Sequence, residues 1–323
     1  MKIVVLGVIF CLIGLLALEL TLRLLFGFGN PPLYVANERI GYLLAPNQQV
    51  RRFGNLIAIN QYSMRTDEIQ KSRPADTLRV FLIGDSIVNG NWWTDQSETL
   101  SAMLEKALAQ HDQIPVAEVL NASANSWGPR NELAYLQQFG TFESQIVMLV
   151  INTDDLFGVQ PNSLQVGTDR NYPNQKPLSA LSELISRLQK QSLIPGLKEI
   201  QNEKGDRIGK NLTAIAEIKH YVDANNGILL LAMTPLKREV TDGPRDYEIT
   251  ARQRVDELVS TQQISYVDFL KYFQDSSDPD SLYRDHIHLS LTGNSLVTQM
   301  LKELMLQVLF NEDKLASVFQ SDD

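Results

Sequence analysis

The stretch Arg79-Val80-Phe81-Leu82-Ile83-Gly84-Asp85-Ser86-Ile87-Val88-Asn89-Gly90 decides the fold of this chain. A run of apolar residues of strand length stops at a glycine and delivers a serine where the chain turns toward a helix. Similar apolar runs recur at residues 116–121, 146–151, 228–233 and 264–269. Between and after them, residues 97–109, 130–139, 211–224, 247–260 and 291–310 carry apolar side chains at helical spacing. Strands that alternate with helices, and that are apolar throughout rather than on one face, predict a parallel sheet covered on both sides. The expected fold class is α/β, a three-layer α/β/α sandwich.

The serine at the end of the first strand sits where an exposed nucleophile belongs. A hydroxyl is a weak nucleophile at neutral pH, so it needs a neighbouring base, and the base needs a third group to fix its tautomer. Near the other end the chain reads Asp285-His286-Ile287-His288-Leu289-Ser290, in which His288 can supply the base and Asp285 the orienting carboxylate.

These two blocks resemble the SGNH or GDSL hydrolase family, which carries Gly-Asp-Ser after its first strand and Asp-x-x-His in its last block. The resemblance covers most of residues 78 to 310. It implies flavodoxin-like strand order, a site at the carboxyl ends of the strands, and Ser86, His288 and Asp285 as the catalytic triad. It also implies an oxyanion hole built from the N–H of Ser86 and from two further blocks. In the first, Asn121-Ala122-Ser123-Ala124-Asn125-Ser126-Trp127-Gly128, Ser126 falls where relatives have a glycine that gives its backbone N–H. In the second, relatives read Gly-x-Asn-Asp and use the asparagine side chain, whereas this chain reads Asn152-Thr153-Asp154-Asp155. Aligning the final aspartates puts Asp154 at the donor position. An ionised carboxylate accepts hydrogen bonds and cannot donate one, so Asp154 serves there only when protonated or aimed elsewhere. Asn152, two residues earlier, is the candidate replacement.

The chain has 323 residues, 44% of them apolar, and a formal net charge of -9. An acidic chain without a Lys/Arg cluster argues against nucleic acid as a partner. From Ile3 to Leu18 no residue is charged, and the apolar character resumes after Glu19 and Arg23. This predicts a membrane-spanning helix within residues 1–29, with Glu19 and Arg23 four apart on one helical face. A secretory signal peptide cut near Gly27-Phe28-Gly29 is the alternative. The slight excess of positive charge at the N-terminus orients such a helix with the bulk of the chain outside the cytoplasm. Cys11, the single cysteine, lies in this helix and leaves the rest without a disulfide.

Residues 30–77 form a lead-in with short strands. Within it Glu38-Arg39-Ile40-Gly41-Tyr42 and Asn60-Gln61-Tyr62-Ser63-Met64-Arg65 resemble segments of exported SGNH proteins, which usually have a glycine where this chain has Ser63 or Met64. They read as a strand pair at the edge of the hydrolase domain, which is expected over 78–312. Residues 157–209, with a helix near 178–189, break the alternating pattern and read as an insertion that either caps the site or elaborates the surface. Residues 313–323 form an acidic tail.

His286 lies one residue off the motif and reads as a surface or supporting residue. His111 and His220 lack partners at ligand spacing, no metal site is visible, and the family needs no cofactor. Trp92 and Trp93 either line the pocket or pack the core. The expectation is a membrane-anchored serine esterase outside the cytoplasm. It would hydrolyse or transfer a short acyl group, with an ester or acylated carbohydrate as substrate and polysaccharide O-acetyl groups as the analogy at family level. A non-catalytic carbohydrate-binding or scaffold protein of the cell envelope is the alternative.

Overall fold

The structure is a computed structural model and describes residues 1–310. The acidic tail expected at 313–323 lies outside the described residues. The strands are β1 (Tyr34–Asn37), β2 (Gly41–Leu44), β3 (Gln48–Arg52), β4 (Asn55–Ile59), β5 (Thr77–Gly84), β6 (Val116–Ser123), β7 (Ile146–Asn152), β8 (Ile228–Thr234) and β9 (Ser265–Asp268). The helices are α1 (Lys2–Phe26), α2 (Ser86–Asn89), α3 (Leu100–Leu108), α4 (Pro129–Phe139), α5 (Ala180–Leu188), α6 (Leu197–Gln201), α7 (Arg207–Ala224), α8 (Lys237–Thr241), α9 (Asp246–Gln262), α10 (Leu270–Gln274) and α11 (Leu291–Leu309).

Strands β5 to β9 form one parallel sheet in the order β6-β5-β7-β8-β9. The chain therefore starts inside the sheet, steps to one edge, then returns across β5, which is the flavodoxin-like order. Successive side chains on a strand face opposite sides, and the two cores divide accordingly. Phe81 and Ile83 of β5 join Leu149 and Ile151 of β7 in a core closed by Tyr135 of α4, Ile215 of α7 and Val255 of α9. Val80 and Leu82 join Met148 and Val150 in the other, closed by Leu104 of α3, Phe273 of α10 and Leu301 of α11. All eight residues of β5 are buried, as a central strand covered on both faces requires.

Strand β5 can end as it does because Gly84 has no side chain. A Cβ there would meet the Val150 carbonyl oxygen at 2.4 Å and Val88 Cγ2 at 2.6 Å. The glycine lets β7 and α2 close around the turn that presents Ser86.

The lead-in folds as two antiparallel hairpins, β1-β2 and β3-β4. Rather than flanking the domain, Tyr34, Tyr42, Leu44, Val50 and Ile59 share the core of Phe81 and Ile83, so these hairpins complete one layer of the sandwich. Ser63 has φ +61°, a left-handed conformation that favours glycine.

Helix α1 has a mean hydropathy of 2.9 and is long and apolar enough to cross a membrane. Its last two turns touch the protein. Leu22 packs with Phe28, Ala180, Leu181 and Leu184, and the Glu19 carboxylate accepts hydrogen bonds from Ala180 N and Leu181 N, both at 2.9 Å. Glu19 thereby satisfies N–H groups that the first turn of α5 leaves open.

Candidate active site

Two segments distant in sequence meet at the carboxyl end of β5. Asp85 caps α2, its Oδ1 accepting from Ile87 N at 2.8 Å, and this tight turn holds Ser86 at the first position of the helix. The loop before α11 is pinned by the Tyr283–Leu289 bridge, by Arg284 N donating to His288 O at 2.8 Å, and by Lys237 N donating to His286 O at 3.0 Å. His288 Nε2 lies 3.0 Å from Ser86 Oγ, and His288 Nδ1 lies 2.8 Å from Asp285 Oδ2. The other oxygen of Asp285 accepts from Ile287 N and His288 N at 2.9 and 2.8 Å. Partial burial works to raise the Asp285 pKa, but these two N–H groups and the imidazole outweigh it and hold the carboxyl below its ordinary range. A carboxylate fixed in this way selects the imidazole tautomer that carries hydrogen on Nδ1 and leaves Nε2 free to accept from the serine. Trp93 packs edge-on against the His288 ring at 4.9 Å, and the Arg284 guanidinium lies 4.9 Å above Trp93. Trp93 thus contacts the candidate base itself and lines a cleft beside it, one of the two placements its position after Ser86 left open.

Ser126 adopts φ +61°, the left-handed backbone that its place at a family glycine demands. The loop that carries it is tied to the lead-in. Tyr42 OH donates to Asn125 O at 2.6 Å, Trp127 Nε1 donates to Tyr42 O at 3.0 Å, and Asn131 Nδ2 donates to Ile40 O at 2.7 Å. Tyr172, from the insertion, donates its hydroxyl hydrogen to Ser126 Oγ at 3.0 Å. On the other side of Ser86, the Arg65 guanidinium is buried and donates to the carbonyls of Asn89, Asn91 and Thr94, which shapes the loop after α2. Both lead-in motifs therefore support loops of the site.

The end of β7 is organised differently. Asn152 is buried, and its Nδ2 donates to Asp85 Oδ2 at 2.8 Å and to Asp155 Oδ2 at 3.0 Å. Both amide hydrogens have partners inside the protein. Asn152 Oδ1 accepts from Asp154 N at 2.7 Å, and Asp155 Oδ2 also accepts from Asn152 N at 2.8 Å. The Asp154 side chain is exposed to solvent. Desolvation, then Glu239 and Glu248, push its pKa up, against the pull of His286 and Arg238. The following turn is clamped by Thr153 Oγ1, which donates to Glu239 Oε2 at 2.7 Å and accepts from Arg252 Nη2 at 2.9 Å. Beneath the site, burial raises the pKa of Asp85 and pushes Asp155 and Glu132 well above the carboxylate range, with Asp85 and Glu132 adding to the effect at Asp155. Glu132 is fully buried, and neither carboxylate oxygen has a hydrogen-bond partner among the described residues.

Two clefts open on either side of Ser86 and share Ser86, Ser126 and His288. One, of about 370 Å³, is walled by Trp92, Trp93 and Ile57 and by Arg170, Tyr172 and Arg187 of the insertion. The other, of about 490 Å³, is walled by Asp154, Asn152, Gln160 and His286. The insertion thus borders the site. His286 is exposed, its Nδ1 3.8 Å from Asp285 Oδ1. His111 stacks on Phe310 at 5.1 Å. Among the described residues no cluster of His, Cys, Asp and Glu is arranged to hold a metal.

The profile of the GDSL-like lipase/acylhydrolase family matches residues 82–296, and this chain belongs to that family. It is a hydrolase of the acyl-esterase class. No curated protein matches it in sequence. Among solved structures, it is similar to the acetyl xylan esterase AlAXEase at 13% identity and a TM-score of 0.47, over 72% of this chain and 100% of that one. It is similar to an acetylxylan esterase from Geobacillus stearothermophilus at 14% identity and a TM-score of 0.45, over 73% and 95% of the two chains. For the lipase/acylhydrolase of Enterococcus faecalis the figures are 16% and 0.41, over 72% and 94%. At such identities and scores, no substrate follows from them.

Proposed function

We propose that this protein is a serine esterase in which Ser86 carries the acyl group, anchored by α1 with its catalytic domain on the periplasmic or extracellular side. One observation carries the reading: the unbroken chain from Ser86 Oγ through His288 to Asp285, at 3.0 and 2.8 Å. His288 Nε2 takes the hydroxyl proton as Oγ attacks the ester carbonyl carbon. Asp285, kept ionised by its two backbone N–H partners, stabilises the imidazolium. Negative charge gathers on the former carbonyl oxygen, which the N–H groups of Ser86 and Ser126 receive. The alcohol leaves with the proton from His288, and the acyl group remains on Oγ. Water, or a sugar hydroxyl, then gives its proton to His288 and attacks the acyl carbon, and as the bond to Oγ breaks His288 returns the proton to Ser86. The two clefts suit this sequence, since acyl and alcohol portions of an ester lie on opposite sides of the reacting carbon. Short O-acyl groups on exported carbohydrate are the substrate class we propose.

In this scheme Asn152 acts indirectly, by holding Asp85 under the nucleophile. Asp154 could donate to the oxyanion only as a neutral acid; as a carboxylate it accepts hydrogen bonds and supplies no donor. These two side chains also motivate a second reading, a non-catalytic carbohydrate-binding or scaffold protein of the cell envelope, because the side-chain donor supplied in relatives is missing here. Turnover of short acyl esters by the purified full chain in detergent decides between them. The esterase reading expects hydrolysis that disappears in Ser86→Ala and His288→Ala, and the scaffold reading expects none from any folded variant.

A further inference from the structure

Helix α5 carries Leu181, Leu184, Ile185 and Leu188 at positions i, i+3, i+4 and i+7, one apolar stripe. Its inner half, Leu181 and Leu184, packs against Leu22 and Phe28 at the end of α1. Its outer half is open: Ile185 is 53% exposed and Leu188 80%. The flanking residues Leu178 and Leu193 are 99% and 98% exposed. Four large apolar side chains within sixteen residues thus have no cover, on an element fastened to the apolar helix.

The fastening fixes their level. Residues 2–26 extend about 37 Å at 1.5 Å per residue, against about 30 Å of bilayer hydrocarbon. Glu19, which caps α5, precedes the end of α1 by seven residues, or about 10 Å. Beyond Glu19, Leu20, Leu24 and Leu25 remain exposed by 48%, 80% and 65%. The N-terminus of α5 therefore stands no farther from the bilayer than apolar surface that α1 itself leaves open. Charge agrees with this placement. Residues 176–199 hold Lys176, Arg187, Lys190 and Lys198 against Glu183 and Glu199, of which Glu183 is buried and paired with Arg52 and Arg187. These dispersed residues give the segment a small positive excess in a chain of net charge -9.

We propose that α5 and its flanks lie in the interfacial layer of the bilayer, with Leu178, Ile185, Leu188 and Leu193 inserted and the lysines at the headgroups. The inference rests on the reading of α1 as a membrane span. It makes the insertion a membrane-docking element, and it sets the wall of the smaller cleft formed by Pro31 and Arg187 at headgroup level. The site then meets esters carried at the membrane surface.

The test uses the full chain with Cys11→Ser, reconstituted in nanodiscs of phosphatidylcholine and phosphatidylglycerol. Single cysteines are placed by Leu12→Cys in α1, Leu188→Cys, Leu193→Cys, and Glu303→Cys on α11 across the sheet. Each carries an environment-sensitive fluorophore. Probes at positions 188 and 193 should be blue-shifted by their apolar surroundings and quenched by acyl-chain nitroxide lipids, as at 12, with 303 showing neither. Quenching at 12 with none at 188 and 193 overturns the docking and leaves the anchor standing. A blue shift at 188 and 193 without lipid quenching means that another protein surface covers the stripe, which also overturns the proposal. Absence of quenching at 12 removes the anchor reading and the docking together.

Discussion

The ends of β5 and β7 lie side by side in one sheet and have been put to different uses. At β5, a glycine forced by packing leads to a turn capped by buried Asp85, and that turn presents Ser86 to His288 and the clefts. At β7, Asn152 and Asp155 face inward. Asn152 spends both amide hydrogens on Asp85 and Asp155, while Asp154, the residue aligned with the family's donor, reaches solvent. One strand end presents Ser86 to His288, and its neighbour braces Asp85 beneath that serine.

The sharpest way to test the β5 side is to remove its parts. Ser86→Ala and His288→Ala should each lower kcat for a short ester by about 10⁴-fold or more, and Asp285→Asn by about 10⁴-fold with KM little changed, because it misplaces the imidazole hydrogen without touching substrate. Steady-state kinetics checks both. On the β7 side, Asp154→Asn restores a donor without changing shape. It should raise kcat, by at most the roughly 10²–10³-fold that one oxyanion donor supplies. An unchanged or lower rate would show that position 154 stands away from the reacting oxygen. Asn152→Ala leaves Asp85 and Asp155 without their shared donor and should cost about 1–3 kcal/mol in chemical denaturation.

The smallest expected effect lies at Glu132, whose folded-state pKa is raised by burial first and by Asp85 second. A raised acid pKa means that the folded state holds a proton the unfolded chain releases. Its contribution is complete below the ordinary glutamate range and is lost as pH rises above it. Glu132→Gln removes that loss, so the gain in Tm over wild type should be larger at pH 8 than at pH 5. Equal gains at both would place an ionised Glu132 in the fold.

Much of this comparison could be read from the sequence where the signal was local. Continuous apolar runs marked β5 through β9, and helical spacing marked α3, α4, α7, α9 and α11, each to within a few residues. Strand order came from the family resemblance, since periodicity carries no information on neighbours. The short helices α2, α6, α8 and α10 escaped because four or five residues complete barely one turn and show no period. The lead-in was read as an edge pair because its apolar residues are sparse, yet Tyr34, Tyr42 and Ile59 fill a core supplied mainly by distant strands. Within the site, Ser86, Asp285 and His288 stood out by motif, and the positive φ of Ser126 gives its family position a backbone reason. The inward turn of Asn152 could not be read, because Asp85, its partner, is 67 residues away. The contact of Trp93 with His288 had only one sequence signal, two tryptophans soon after the nucleophile.

The central claim is that His288 and Asp285 activate Ser86, and labelling with a fluorophosphonate probe tests it most directly. The account predicts that the purified full chain is labelled at a single site, mapped by mass spectrometry to Ser86, that Ser86→Ala abolishes labelling, and that His288→Ala slows it strongly. A folded wild-type chain that takes up no probe, or one labelled equally well without His288, would contradict it.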